Sequence, residues 1–135
     1  MLGGNASFYS PGETLPAEGG TYVLVFRLTA RTRVKTSHGF TFLEPGIYAY
    51  VGSAFGPGGL RARISRHLRR EKKVHWHIDW VTTGEEFQPL GVWVVVGERK
   101  EKELAELLSG TFKPVPGFGA SDSREDSHLF IVREG

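Results

Sequence analysis

Hydrophobic residues recur along this chain with two different periods, and the expected element changes where the period changes. GTYVLVFRL, residues 20 to 28, is β-branched and aromatic with little interruption, which predicts a strand buried on at least one face. RTRVKT, 31 to 36, alternates and sets Arg31, Arg33 and Lys35 on one side of a second strand. The turn signals Ser37-His38-Gly39 and Pro45-Gly46 flank FTFLE and precede IYAYVGSA, so the opening half reads as a small antiparallel sheet. After the breaker SAFGPGG, the residues Leu60, Ile64 and Leu68 return every fourth position and predict a helix from Leu60 to about Lys72. Arg63, His67 and Arg70 lie beside that stripe on a second face of the same helix. GVWVVV, 91 to 96, predicts a buried strand, ERKEKELAELL, 98 to 108, a helix, and HLFIV a last strand. VHWHIDWV fits two patterns. Alternation puts His75, His77 and Asp79 on one strand face, whereas helical spacing pairs His75 with Asp79.

This order of elements predicts an α+β fold with a small, mainly antiparallel sheet flanked by helices. The chain has 135 residues, which suits one domain. Residues 1–19 are rich in Gly, Pro, Ser and Glu without sustained periodicity, so they are expected to form a flexible arm, leaving the domain at 20–135. There is no cysteine, so disulfides and thiolate metal sites are excluded and a reducing, cytoplasmic setting is the expectation. No apolar run approaches the roughly 18 residues that span a bilayer, so no membrane association is expected.

Charge changes the picture more than composition does. The net formal charge is only +2, yet the stretch from Arg61 to Lys73 holds seven Lys or Arg against the single acid Glu71. A patch of that density attracts polyanions, and nucleic acid is the expected partner. Its plain alternative is a solvated helix face.

Three placements point to chemistry. Glu101 stands at i with Leu104, Ala105 and Leu108 at i+3, i+4 and i+7, which puts a carboxylate on an apolar helix face. There it requires a metal ion, an arginine or a helix end as partner, because an unpaired anion would be neutralised instead. Arg63, His67 and Arg70 combine planar forks that match phosphate oxygens with an imidazole that exchanges protons near neutral pH. Tyr22 lies in the first strand, and Tyr48 and Tyr50 share a face of another; phenols in strands usually pack, but one can also position a water or shuttle a proton. His75, His77 and Asp79 have spacing compatible with zinc, a weakly specific signal.

With these residues in place, the chain resembles the GIY-YIG nuclease superfamily, in particular its domain of unknown function 123 branch, over roughly residues 20 to 131. The resemblance rests on GTY at 20 to 22, G-x-Y-x-YVGSA at 46 to 54, L-x-x-R-x-x-x-H at 60 to 67, HWHIDW at 75 to 80, and GFGASD followed by SHLF. It implies a metal-dependent endonuclease whose catalytic set is Tyr22, Tyr50, Arg63, His67 and Glu101. Glu101 would hold Mg²⁺ or Mn²⁺, Tyr22 or His67 would deprotonate or orient the attacking water, and Arg63 would neutralise charge on the phosphoryl group. Tyr50 would position phosphate or water, and Gly52 would permit a close turn into the helix. Tyr48, Ser53, His75, His77 and Asp79 are accessory candidates. Arg31, Arg33, Lys35, Arg66, Arg70 and Lys73 would track the backbone of nucleic acid, DNA rather than RNA. Relatives fused to base-excision glycosylases extend the expectation to DNA repair and to repair proteins as partners.

The chain also departs from that pattern. An extra segment, 29 to 45, separates the two motifs, and the loop after GFG has Ser123 and Glu125 where members of the branch often carry cysteines. Asp122 and His128 remain there as hydrogen-bonding residues. The competing readings are a non-catalytic nucleic-acid-binding module, which has no use for Glu101 on an apolar face, and a zinc enzyme built on His75, His77 and Asp79.

Overall fold

In the strand β2 (Gly20–Leu28), Tyr22, Leu24, Phe26 and Leu28 point to one face and Val23 and Val25 to the other, so a single strand joins two cores. The computed structural model describes residues 6–74, 77–118 and 127–135. Around β2 the chain builds a six-stranded antiparallel sheet from β1 (Ala6–Tyr9), β2, β5 (Gly46–Ala54), β6 (Phe87–Val96), β7 (Lys113–Pro114) and β8 (Leu129–Glu134). The spatial order is β1-β6-β2-β5-β8-β7. β3 (Thr32–Thr36) and β4 (Gly39–Leu43) form a separate hairpin. With the helices α1 (Gly59–Leu68), α2 (Asp79–Thr82) and α3 (Glu101–Ser109), this is the expected α+β architecture.

The larger core lies between one sheet face and α1, α2 and the hairpin, where Leu60, Ile64, Ile78, Val81, Val34 and Leu43 meet the even-numbered residues of β2. The smaller core holds Leu104, Ala105 and Leu108 of α3 against Val23, Ala49, Val51 and Phe130. Glu101, one turn earlier on that helix stripe, therefore begins at the end of the sheet rather than in the middle of a core.

Four boundaries differ from the sequence reading. The segment expected to be a flexible arm holds β1, which pairs with β6, and Leu15, which is buried. Pro16 and Glu18 also accept hydrogen bonds from the N–H groups of Arg61 and Leu60. The first turn of α1 has no side-chain cap, so these carbonyls satisfy donors that would otherwise be orphaned. Gly59 is obligatory there, because a Cβ would collide with the Ala17 and Glu18 carbonyls.

α1 stops at Leu68 rather than near Lys72, and the Lys72 ammonium turns back to donate to the carbonyls of Arg66 and His67. β6 begins four residues earlier than expected and runs through Pro89, opposite a register shift in β2 where a missing N–H is tolerated. Of the two readings of HWHIDW, the helical one describes Asp79 onward, and His75 lies outside the described residues.

Candidate active site

Tyr22 and Gly52 are directly opposite across β2 and β5. A Cβ at position 52 would overlap the Tyr22 phenol, so the glycine makes room for a ring that crosses β5 toward α1. The glycine sits inside an extended strand, and a turn into the helix is not what it provides. The Tyr22 hydroxyl meets His67 Nε2 at 2.6 Å, and the Arg63 side chain also hydrogen-bonds to it. Arginine has only donors, so Tyr22 accepts from Arg63 and its own O–H is directed to the imidazole. Arg63 additionally donates to the Ser53 carbonyl at 3.2 Å. Tyr50, on the same strand face as Gly52, lies edge-on to His67 with ring centroids 6.0 Å apart.

Glu101 reaches this group from the opposite face of the sheet. β8 pairs with β5 only as far as Tyr50, with one further bond from the Val51 N–H to the His128 carbonyl, so Ser53 at the strand end can meet the start of α3. Ser53 Oγ donates to Glu101 Oε1 at 2.6 Å, and His128 Nδ1 lies 2.8 Å from Oε2. Burial alone would raise the Glu101 pKa, but the bonds from His128 and Ser53 and the nearby Arg63 outweigh it and lower the value. The carboxylate is thus anionic, oriented from both sides and a quarter exposed.

The tyrosines and histidine shift the other way. Burial pushes Tyr22 and Tyr50 up, with each other or Glu101 nearby adding to it and Arg63 opposing. Burial, then Lys72, lowers His67 to about 3, so its imidazole is neutral and its Nε2 accepts from Tyr22. Tyr22 and His67 are each 1% exposed, whereas Tyr50, Arg63, Ser53 and Glu101 are partly exposed. The buried pair forms a floor, and the other four make a partly exposed rim.

The donor set decides what cation would suit the rim. A carboxylate has about four lone-pair sites, and Ser53 and His128 occupy one on each oxygen. Mg²⁺ and Mn²⁺ sites commonly use one carboxylate plus waters and substrate phosphate, which fits Glu101. Among the described residues no three His, Asp or Glu gather, and Asp79 gives both oxygens to Arg66 at 2.9 and 3.0 Å. Asp79 is thus held by Arg66, His77 packs against Phe118, and His75, the third member of the zinc reading, lies outside the described residues.

Other expected residues are placed elsewhere. Arg66 is locked to buried Asp79 and the Lys73 carbonyl, and Arg70 lies beyond the end of α1, donating to Gly84 and Phe87 carbonyls. Both side chains thus have internal acceptors, Arg66 while partly buried and Arg70 while remaining exposed. Tyr48 stacks on Phe26 and donates its hydroxyl to the Glu44 carbonyl at 2.6 Å, so it belongs to the root of the hairpin. Arg31, Arg33, Lys35 and Lys73 are exposed. Asp122, Ser123 and Glu125 lie outside the described residues. His128 is the residue sequence reasoning underrated: the SHLF motif holds it, but its partner Glu101 is shown only by the pairing of β5 with β8.

No curated protein and no solved structure gives a significant match to the chain. The family model for the domain of unknown function DUF123 matches residues 21–135, the whole of the segment that carries this site, and the chain belongs to that family.

Proposed function

We propose that the protein is a GIY-YIG-type endonuclease that hydrolyses phosphodiester bonds in DNA with Mg²⁺ or Mn²⁺, in a repair setting with repair proteins as partners. The observation that carries this reading is the oriented, anionic Glu101 beside Arg63 and Tyr50, because a binding surface needs no such carboxylate. A divalent ion held by Glu101 would supply Lewis-acid polarisation of the phosphate. Arg63 offers its guanidinium to the phosphoryl oxygens, where charge grows in the transition state. Tyr22 and His67 keep that guanidinium aimed. Tyr50, at the rim, is placed to hydrogen-bond a water or a phosphate oxygen.

Tyr22 and His67 are equally buried and bonded to each other, so burial does not choose between the two candidates for activating water; the pair acts through Arg63, which it holds in place. A simple binding module is less well supported, because Arg66, Arg70 and Lys72 of the basic stretch face internal acceptors. Incubating plasmid, linear duplex and single-stranded DNA with Mg²⁺ or Mn²⁺ tests the proposal. Wild type is expected to cut, and Glu101→Ala and Arg63→Ala are expected to cut at least about 100-fold more slowly. Equal cleavage by all three proteins would sink the site, because a contaminating nuclease would ignore the substitutions.

A further inference from the structure

The extra segment between the two motifs is a hairpin whose outer face alternates cations with aromatic rings. Arg31, Arg33 and Lys35 project from the β3 side and Phe40 and Phe42 from β4, and the register places Arg33 opposite Phe42 and Lys35 opposite Phe40. The Arg33 guanidinium lies 4.0 Å from the Phe40 ring centre and the Arg31 guanidinium 4.1 Å from that of Phe42. Lys35 Nζ is 6.0 Å from Phe40, and Trp80 of α2 meets the same ring edge-on at 5.6 Å. Phe40 and Phe42 are 51% and 50% exposed, although Val34, Thr36 and Leu43 on the inner side of the hairpin supply its packing. About half of each outer ring is thus left to solvent beyond its contacts with Arg31, Arg33 and Trp80.

We infer that this face is a stacking platform for unpaired bases, so that the substrate is single-stranded nucleic acid or a duplex with a single-stranded segment. Rings and guanidinium planes both stack on bases whatever their sequence, and the cations neutralise the phosphates between them. Phe40 and Phe42 are two residues apart on one strand face, about 7 Å. That is about twice the 3.4 Å separation of bases in a duplex strand, and it suits a strand whose bases are pulled apart. Arg31 also pairs with Glu44 at 3.1 Å, both side chains being largely exposed, so an incoming phosphate can displace that contact at little cost. A groove of about 460 Å³ beside the ladder, lined by Phe40, Phe42, Leu43, Tyr48, Pro114 and Ile131, has room for a base turned off the stack. A dry protein interface is disfavoured, since it would require three cations to be desolvated between the rings.

The ladder also leads toward the active site. Lys35 lies near enough to His77 to lower its pKa after burial has done so; His77 packs on Phe118, and Phe118 lies edge-on to Tyr50 at 6.2 Å. The hairpin and the rim that holds Tyr50 are thus joined through the packed rings of His77 and the buried Phe118. This inference rests on the nuclease reading for its purpose, but it can be tested without cleavage.

Fluorescence anisotropy would be measured in EDTA at low salt, with labelled oligothymidylate and a blunt duplex of the same length. Wild type is expected to prefer the single strand. Phe40→Ala/Phe42→Ala is expected to lose roughly 10-fold or more of that affinity while duplex binding changes less than about twofold, and its thermal melting should stay near wild type because both rings are on the outer face. Unchanged single-strand affinity, or an equal loss for duplex, would overturn the platform even if Glu101-dependent cleavage is intact. Ladder-dependent binding without cleavage would instead overturn the nuclease and leave the platform standing. Preference for polyglutamate over oligothymidylate would identify an acidic protein partner and also overturn it.

Discussion

One methyl group at position 52 would land on the Tyr22 phenol, and this contact links packing to the geometry of the site. Gly52→Ala is expected to cost about 1–3 kcal/mol in urea unfolding, as other overpacked sites do, and to move Tyr22 away from Arg63 and His67. Cleavage should fall with it. His128 offers a separate test, because its imidazole orients Glu101 from Oε2 while leaving the floor of the site untouched. His128→Ala is expected to raise the Mg²⁺ concentration needed for half-maximal cleavage by about 10–100-fold, with much of the rate regained at high Mg²⁺. A loss of rate that no Mg²⁺ concentration restores would assign His128 to the fold instead. The place of Glu101 was legible, since i, i+3, i+4 and i+7 put it on the apolar stripe of α3. Its partners were not legible: Ser53 lies 48 positions away, and His128 is marked by no period of its own.

At the scale of elements, the join between α1 and α2 is where the sequence misleads. Counting lysines and arginines finds a dense patch, but formal charge carries no information about what each guanidinium faces. Arg66 spans the two helices to Asp79, whose carboxylate is fully buried and accepts two of its donors. Arg66→Met is expected to destabilise the fold by about 3–5 kcal/mol, because the anion is left buried without its partner. Adding Asp79→Leu should recover much of that, and urea unfolding of the three variants measures both. The same geometry separates structural cations from binding ones. Arg33→Ala should reduce the slope of log affinity against log salt by about 0.7 for a single strand, whereas Arg70→Ala should leave it unchanged. A reduced slope with Arg70→Ala would return that residue to the nucleic-acid surface. The shortened α1 has a similar origin: the every-fourth pattern predicts a start and a face, but the Lys72 ammonium that closes the helix acts from beyond its end.

Across the whole molecule, a neutral histidine buried under the site links stability to pH. An unfolded histidine titrates near 6.5 and folded His67 near 3, a value set first by burial and then by Lys72. Between those values the unfolded chain takes up a proton that the folded chain refuses. Stability from this group is complete above about pH 6.5 and is lost as pH falls toward 3, by up to about 1.4 kcal/mol per pH unit. His67→Gln should flatten that slope in urea titrations between pH 6.5 and 4; an unchanged slope would mean that another group carries it. The sheet and the two main helices followed from hydrophobic period, whereas the motif tyrosines were singled out by the resemblance. The long-range closure did not, because β1, Pro16 and Glu18 are held by backbone hydrogen bonds that leave no mark on side-chain patterning. The central claim is that a carboxylate from one face of the sheet and an arginine from the other work on one phosphate. Its most direct measurement is single-turnover cleavage at saturating protein with Mg²⁺, comparing wild type with the isosteric Glu101→Gln. The account predicts at least about 100-fold slower cleavage by Glu101→Gln with its DNA affinity within about twofold of wild type; cleavage at the wild-type rate would contradict it.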